Sequence, residues 1–554
     1  HSTSRRQRQM CIRDRMCDVG AVSNTDTFIK RGAYNTETAT SWSWGALKNV
    51  NYFIDGCNDP KYCTVEAETR DNYLGIARWF RAWFYYDKLT TYGEVPWFPN
   101  DIQSYQNDVM YKDRDSRDVI IRNLIADLDF AYEHIQATSS TGSATLTRWA
   151  AAALKSRVCL FEAAYRRYHN LTGLEITPEE LYREAAKAAK LVIDNSGCSL
   201  NTAAGKKGAY RDLFYSETPL TQEVILAVCA NEKSGIFGEQ NWWFNARSYG
   251  LCWSLVRSFV HTYLKQDGTP FTAAADYAVK SFAEEMEGRD LRLEQTVRGR
   301  NFLWDGKTAV ADIKNLSLTG YQVIKYTLDE SKYDGGAKNI NSIPLIRYAE
   351  VLLNYAEAQA ELGVLTDSEW ALTVGALRKR AGITGGTETL PTTVDSYLQR
   401  TFYPDVTSPV LLEIRRERAI ELVAEGMRFD DLRRWKCGSL METLPWSGIH
   451  IPGLEQPVDV NGDGVNDYYF TEGEVASAPA AYKNIAVRVN QDGVGLYAEA
   501  NPVSGYDLVY KTGAGDRYWY PDGRQYLYPI PAKVIRDYRN AGYTISQNPE
   551  WDNE

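Results

Sequence analysis

Apolar positions recur with helical spacing in several long segments of the chain. The segments 71–90, 117–134, 148–168 and 178–195 predict helices that pack as two pairs, with 71–90 against 117–134 and 148–168 against 178–195. Thr177 is a suitable N-cap and Pro178 a suitable first helical residue, so the last of these helices is expected to begin at 178. Alanines at the contact positions would let the helix backbones approach closely.

A further helix pair is predicted at 344–362 and 367–381. The first helix of this pair is expected to end at Gly363, a typical residue after a helix C-terminus. It has apolar residues on two sides, which is typical of a helix packed between neighbours. These residues are Leu345, Ala349, Leu352 and Ala356 on one side, and Val351, Tyr355 and Leu362 on the other. Repeated helix pairs of this kind are typical of tetratricopeptide-like proteins, although long insertions separate them here.

The stretches 196–340 and 437–525 are rich in Gly, Asn, Tyr and Trp and show little periodicity. We expect irregular, aromatic-rich loops with a few short strands there. The predicted fold is therefore mainly α: a single domain over 16–554 with a helical scaffold at 65–195, 341–436 and 526–545, and loop-rich, ligand-facing insertions between. Residues 1–15 are basic, lack the apolar core of a signal peptide, and are interpreted as a disordered, non-native leader outside the fold.

The segment "EIRRERAIELVAEGMRFDDLRRW", 413–435, is unusually dense in Arg and Glu. On a helical wheel, Arg416 falls within an apolar stripe. A buried guanidinium must be paired, and Glu413, Glu417 and Asp430 or Asp431 are the candidate partners. We interpret the segment as an internal ion-pair network that locks the last helices into the scaffold; the alternative is a catalytic carboxylate pair. The stripe consists of Leu412, Ala419, Val423 and Met427.

Composition and charge argue against several classes of function. The chain has 554 residues, a net charge of −10 and no run of like charges beyond its first fifteen residues, which argues against nucleic-acid binding. The longest apolar run, 224–230, is too short to span a bilayer. The nine cysteines include no CxxC pair and there are only five histidines, so a structural zinc site is not expected. Cys57 and Cys63 are close enough in sequence for a loop disulfide.

Six blocks of the sequence form a recognisable series. They are "RWFRAWFYYDKLTTYGEVPWF" (78–98), "GRDLRLEQTV" (288–297), "IPLIRYAEVLLNYAEAQAELG" (343–363), "ALRKRAGI" (376–383), "ERAIELVAEGMRFDDLRRW" (417–435) and "YLYPIPAKVIRDYRNAGYTISQNPEW" (526–551). In content and in order, these blocks resemble the SusD/RagB-like outer-membrane nutrient-binding lipoproteins. Leu291 stands where the family usually has proline. The family pattern is joined partway, at 16–28, so we expect the native N-terminus to be missing. Cys11 and Cys17 lack the apolar run of a lipidation site.

The resemblance implies a tetratricopeptide-like, non-catalytic protein that captures oligosaccharides and delivers them to a TonB-dependent (SusC-like) transporter. It implies an outer-membrane, cell-surface location, with membrane contact only through a lipid anchor that this chain does not show. Some members of the family handle peptides, so a peptide-binding member is one alternative. A peptide- or protein-binding tetratricopeptide module is a second, and a glycoside hydrolase on a helical scaffold a third.

Sugars bind proteins through aromatic rings and planar polar side chains, and aromatic residues make up 12% of this chain. Aromatic clusters with polar neighbours occur in "TSWSWG", "NWWFNARSYG" and "NFLWDG". In the family the ligand surface comes from an early segment and a mid-chain loop, which favours the first two clusters. The alternative for each tryptophan is a place in the core. The predicted ligand-binding residues are Trp42, Trp44, Arg31, Trp242, Trp243, Asn245, Tyr249 and Trp304.

The stretch "DVNGDGVND", 459–467, has the spacing of oxygen ligands in a Ca²⁺ loop. The expected ligands are Asp459, Asn461, Asp463, the Val465 carbonyl and Asp467. The glutamate expected at position 12 is absent and the flanks are not helical, so this would be a structural loop site and not an EF-hand. The alternative is an Asx-rich turn without metal.

Enzyme motifs are missing from the sequence. It contains no GxSxG, HExxH, P-loop or GxGxxG pattern. Its 72 acidic residues offer many carboxylate pairs, and nothing in the sequence singles one out as a glycosidase pair. We therefore predict a binding protein with no organic cofactor.

Overall fold

Long helices form the N-terminal scaffold. The computed structural model describes residues 16–139, 143–245, 252–511 and 516–552. The N-terminal helices are α1 (Gly45–Asn58), α2 (Ala67–Tyr92), α3 (Arg117–His134), α4 (Arg148–Tyr168) and α5 (Pro178–Asn195). As predicted, α2 packs against α3 and α4 packs against α5.

Local capping explains why several of these helices begin where the sequence predicts. The Thr177 hydroxyl accepts from the backbone N–H of Glu180, and the Glu180 side chain accepts from the backbone N–H of Thr177. The hydroxyl of Ser116 accepts from the backbone N–H of Val119 at the start of α3. Such caps satisfy N–H groups that have no partner inside the helix.

The C-terminal scaffold differs from its sequence prediction at three points. Its helices are α6 (Tyr348–Glu361), α7 (Asp367–Leu372), α8 (Val374–Arg380), α9 (Ser396–Phe402), α10 (Pro409–Glu421), α11 (Arg428–Arg434) and α12 (Ala532–Asn540). Residues 344–347, expected in a helix, belong instead to a strand that runs from Ile343 to Arg347. The helix expected at 367–381 is broken at Thr373, and α6 packs mainly against α5 and α10 and only lightly against α7 and α8.

The third difference lies in the charged segment 413–435. Ala424 and Gly426 have positive φ angles of 62° and 76°, so α10 ends at Glu421 and a new helix begins at Arg428. The predicted stripe therefore does not continue along one helix to Val423 and Met427, because both follow the end of α10.

Short strands and single-turn helices fill the loop-rich regions. The strands are β1 (Gly20–Ala21), β2 (Val224–Val228), β3 (Ser254–Leu255), β4 (Leu303–Trp304), β5 (Lys307–Thr308), β6 (Ile343–Arg347), β7 (Ser447–Ile451), β8 (Pro457–Val458), β9 (Tyr468–Thr471), β10 (Ala486–Arg488), β11 (Leu496–Ala500) and β12 (Tyr506–Tyr510). They pair as β1–β3, β2–β6, β4–β5, β10–β9–β8 and β11–β12–β7, with only β9–β10 parallel. The short helices are Asn107–Met110, Asp212–Tyr215, Gln240–Asn245, Arg257–Val260, Phe282–Met286, Arg292–Thr296 and Leu440–Thr443. The described part of the chain is therefore largely helical with small peripheral sheets, which confirms the predicted fold class.

The ion-pair network predicted for 413–435 is present. Arg416 bonds to Asp395 and lies 3.2 Å from Glu413, so one of its predicted partners is correct and its other partner comes from the residue that caps α9. Glu421, fully buried, accepts hydrogen bonds from three arginines, which we name with it the Glu421 cluster. These are Arg292 at 2.8 Å, Arg347 at 2.6 Å, and Arg380. Several cations share one carboxylate, which ties together segments distant in sequence.

The structure bears on two points raised by the sequence, a bond between Cys57 and Cys63 and a membrane-spanning helix. Cys57 and Cys63 are free thiols of intermediate exposure. Burial, followed by the neighbouring Cys63, raises the pKa of the Cys57 thiol. None of the helices in the described ranges combines the length and apolar character needed to cross a bilayer.

Candidate functional site

A cavity of about 830 Å³ brings together three distant parts of the chain. Its walls come from residues 37–51, from the loop after α2 at 98–111, and from the beginning of α12 at 531–538. Trp42 and Trp44, which we name the tryptophan pair, both line it, and we refer to it as the tryptophan cavity. Its volume lies within the range typical of small-molecule sites.

The tryptophan pair is held by edge-to-face aromatic contacts. The two rings have centroids 5.2 Å apart at an angle of 74°. Trp42 packs against Tyr92 at 4.9 Å, and Trp44 packs against Phe98 at 5.2 Å. Both tryptophans are half-buried. Half-buried, well-supported rings of this kind offer a rigid aromatic surface to a ligand in the cavity.

A buried lysine lies among these rings. The Lys88 ammonium is 5.2 to 5.7 Å from the ring centroids of Trp42, Trp44, Phe84 and Tyr92. It donates a hydrogen bond of 3.3 Å to the Ser41 carbonyl. Burial lowers the pKa of Lys88 to about 8, against a smaller opposite effect of Asp87. The rings replace part of the lost hydration through cation–π attraction.

Polar groups complete the cavity walls. The Asn51 side chain donates to the backbone carbonyls of Phe98, at 2.8 Å, and Asn100, at 3.0 Å, which fixes the loop after α2 against α1. Two ion pairs lie on the wall formed by α12. They join Arg536 to Glu37 at 2.6 Å and Lys533 to Asp537 at 2.6 Å. Apolar faces and hydrogen-bonding groups thus line one space.

Arg31 has a different environment from the tryptophan pair. Its guanidinium stacks on the Tyr518 ring at 3.9 Å, and the neighbouring Gly32 N–H donates to the Tyr520 hydroxyl. Arg31 does not line the tryptophan cavity. Arg31 is therefore close to the tryptophan pair in sequence but does not line the same cavity.

The second predicted cluster lies on the short helix Gln240–Asn245. The rings of Trp242 and Trp243 are 5.1 Å apart. Asn245 donates to Asp334 at 3.1 Å and accepts from Gln322 at 3.2 Å. Tyr249 lies outside the described residues.

Trp304, the third candidate, lies in the β4–β5 hairpin. Arg298 is 5.1 Å from its ring centroid. Asp305, in the turn of the hairpin, accepts from the backbone N–H of Ser331 at 2.9 Å. Asn245 contacts Asp334 and Asp305 contacts Ser331, so the structure brings the described residues of the second and third clusters to one segment, 331–334. None of these described residues lines the tryptophan cavity.

The acidic loop 459–467 is organised by its own backbone. Asp459 accepts from the N–H groups of Gly462 and Gly464, and Asp467 accepts from Val460. Burial, and then the charges of Asp459 and Asp463, raise the pKa of Asp467. Within the described ranges, no three or more His, Cys, Asp or Glu side chains gather closely enough to hold a metal ion. Calcium binding by the three aspartates of this loop together with Asn461 and the Val465 carbonyl stays a prediction.

Sequence reasoning missed the wall of the cavity that α12 supplies. Pro531, Val534 and Tyr538 line it from the far end of the chain. The N–H of Ala532 donates to the Thr36 carbonyl at 2.9 Å, which anchors the start of α12 beside the tryptophan pair. The block at 526–551 predicts a helical scaffold segment here but does not indicate which part of the chain it packs against.

The helical scaffold with small peripheral sheets defines the class of fold, and comparison with known proteins identifies the family. The SusD family model matches residues 222–551. The chain therefore belongs to the SusD family. No curated protein sequence matches it.

Solved structures give the same result for the fold. A SusD-like protein from Bacteroides fragilis matches with 20% identity and a TM-score of 0.64, covering 98% of this chain and 93% of its own. A SusD-like carbohydrate-binding protein from the same species matches with 18% identity and a TM-score of 0.66, covering 95% and 91%. A structure with xylogluco-oligosaccharide matches with 17% identity and a TM-score of 0.58, covering 99% and 94%.

Proposed function

We propose that the protein captures oligosaccharides, without cleaving them, in the tryptophan cavity. The observation that carries this proposal is the tryptophan pair lining a cavity of about 830 Å³ together with amide and charged side chains. Aromatic rings stack on the apolar faces of sugars, and the polar groups bond to their hydroxyls. Among its structural neighbours, one is a carbohydrate-binding protein and another was solved with xylogluco-oligosaccharide, which supports this ligand class.

The proposal is tested by calorimetric titration of the full chain with cello-, malto-, xylo-, manno- and xyloglucan-derived oligosaccharides. The double variant W42A/W44A should lose about tenfold or more of the affinity for a bound sugar, because each stacked ring contributes about 0.5–1.5 kcal/mol. Recovered sugar should be intact by chromatography.

The control is Tyr62→Ala, since Tyr62 is an exposed aromatic residue outside the cavity. It should bind as the wild type does. Circular dichroism of all variants separates loss of binding from loss of folding. No binding to any glycan would redirect the search to peptides, and cleaved products would make the protein a hydrolase; either result would refute the proposal.

The proposal extends to the biological setting that SusD family membership supports. The protein would be anchored by lipid at the outer-membrane surface and would deliver its sugar to a TonB-dependent, SusC-like transporter. Fractionation of the source cells, with surface labelling of intact cells, tests the location. Detergent extraction and affinity purification of the native protein should recover a TonB-dependent transporter. Its absence from a preparation that still binds sugar would leave capture intact and refute delivery.

The acidic loop is proposed to bind Ca²⁺ as a structural ion. The donors Asp459, Asn461, Asp463, Val465 and Asp467 are oxygen ligands of the kind that Ca²⁺ prefers. A cation would relieve the repulsion that contributes to the raised pKa of Asp467. Millimolar Ca²⁺ should raise the Tm relative to EDTA, and D463N should abolish the rise. An equal shift in wild type and D463N would show that the ion acts elsewhere.

A further inference from the structure

A line of side chains leads out of the tryptophan cavity along α1. Trp44 is the residue before α1, and its carbonyl accepts from the N–H of Lys48 at 3.1 Å, so it already lies in the helical turn. Lys48 and Tyr52 follow at intervals of four residues, which places all three side chains on one side of the helix. Trp44 and Lys48 line the cavity, whereas Tyr52 lies one turn beyond.

Tyr52 is among the most exposed aromatic residues of the described chain. Its side chain is 71% accessible, while Trp44 at the other end of the line is half-buried. With a rise of 1.5 Å per residue, positions 44 and 52 are separated by about 12 Å along the helix axis. A chain of several sugar units can reach across this distance, whereas a disaccharide cannot contact both rings.

Lys48 occupies the position between the two rings. It is exposed and forms no ion pair with another described residue, in contrast to Lys533 and Arg536 on the opposite wall. Its ammonium can therefore donate to sugar oxygens. Ring, hydrogen-bond donor and ring follow one another along α1, which is the order of contacts that an extended sugar chain needs.

We propose that Tyr52 is a second stacking position for the oligosaccharide that enters the tryptophan cavity, with Lys48 bonding to the units between. The site accordingly selects chains long enough to reach from Trp44 to Tyr52 over shorter ones. This inference rests on the proposed function, and it specifies the ligand class as oligosaccharides longer than a disaccharide.

The test measures the affinity of the full chain for the disaccharide and the hexasaccharide of each series, cello-, malto-, xylo- and manno-. Wild type should bind a hexasaccharide more tightly than the matching disaccharide. Y52A should lose about fivefold of the hexasaccharide affinity, the effect of one stacked ring, and keep the disaccharide affinity within about twofold. Y52F should behave as wild type.

Tyr62→Ala is the matched control, because Tyr62 is also 71% exposed and is absent from the cavity wall. If Y52A binds hexasaccharides as Y62A does, or weakens both lengths equally, the inference is wrong while capture stands. If wild type binds neither length of any series, capture and the inference both fail. The hexasaccharide preference in wild type, lost in W42A/W44A and reduced in Y52A, supports both.

Discussion

The guanidinium groups of the Glu421 cluster and the ammonium of Lys88 are all buried, yet their surroundings differ. Arg292, Arg347 and Arg380 share the carboxylate of Glu421. Lys88 is surrounded by four aromatic rings and bonds to one backbone carbonyl. Carboxylates hold the arginines in fixed geometry, which suits a scaffold. The rings around Lys88 include the tryptophan pair, so its charge is stabilised by the same side chains that face the candidate site.

Removing the shared carboxylate should have the largest effect. E421Q leaves three buried guanidinium groups short of one negative charge, which costs about 3–5 kcal/mol of the free energy of unfolding. The pKa of Glu421 lies well below its ordinary value because the arginines outweigh burial, so it is ionised at neutral pH. Chemical denaturation followed by circular dichroism measures the loss. A change of less than about 1 kcal/mol would show that the cluster does not hold the scaffold together.

A second buried and paired carboxylate, Glu285, should make the free energy of unfolding fall at acid pH. Burial opposes ionisation of Glu285, but the hydrogen bond from His261 and the charge of Arg257 lower its pKa to about 2. The unfolded glutamate binds a proton near pH 4.5, so the stabilisation is complete above that pH and is lost as pH falls towards 2. The lowered pKa of His261, caused by burial, acts in the same direction.

The difference in unfolding free energy between wild type and E285Q should shrink by about 2–3 kcal/mol over this range. Denaturation series at several pH values measure it. A difference that stays constant with pH would contradict a lowered pKa.

Lys88 should show a pH dependence of the same sign as that of Glu285, but in an alkaline window. Folded Lys88 loses its proton at about pH 8, while an unfolded lysine keeps it to about 10.5. The unfolded state binds more protons in this window, so stability should rise with pH across it. Relative to K88M, the free energy of unfolding of wild type should rise by about 1–2 kcal/mol across this window. This is less than the pKa shift alone implies, because cation–π attraction to the rings stabilises the charged form of Lys88. K511M, at an exposed lysine, is the control, and an equal slope there would rule Lys88 out.

The smallest effect is expected at an exposed ion pair. Glu499 and Lys511 are 2.7 Å apart, and both side chains are about half exposed. E499Q should change the free energy of unfolding by less than about 0.5 kcal/mol. A loss close to that of E421Q would mean that burial does not separate the two kinds of pair.

The sequence predicted the helices that local signals specify. The bounds of α4 and α5 agree with the prediction, because alanine-rich periodicity and the Thr177 cap act within a few residues. Residues 343–347 became a strand because β2, more than a hundred positions earlier, pairs with them. The short apolar run fits either structure, so only the distant partner decides between them.

The same limit applies to the candidate site. Trp42 and Trp44 could be selected by residue type and clustering, and the structure places both on one cavity wall. Pro531 and Tyr538 contribute to the cavity only through tertiary packing between segments that are distant in sequence. Such packing leaves no spacing pattern in the sequence of either segment. Arg31 shows the converse, since closeness in sequence to the tryptophan pair did not place it in the cavity.

The cavity wall formed by residues 531–538 also has a consequence for folding during translation. Synthesis proceeds from the N-terminus, so the tryptophan pair leaves the ribosome long before Pro531, Val534 and Tyr538 are made. A nascent chain therefore carries both rings before the cavity around them is complete. All three walls are present only after α12 has docked, so interrupted translation products lack the candidate site in its complete form.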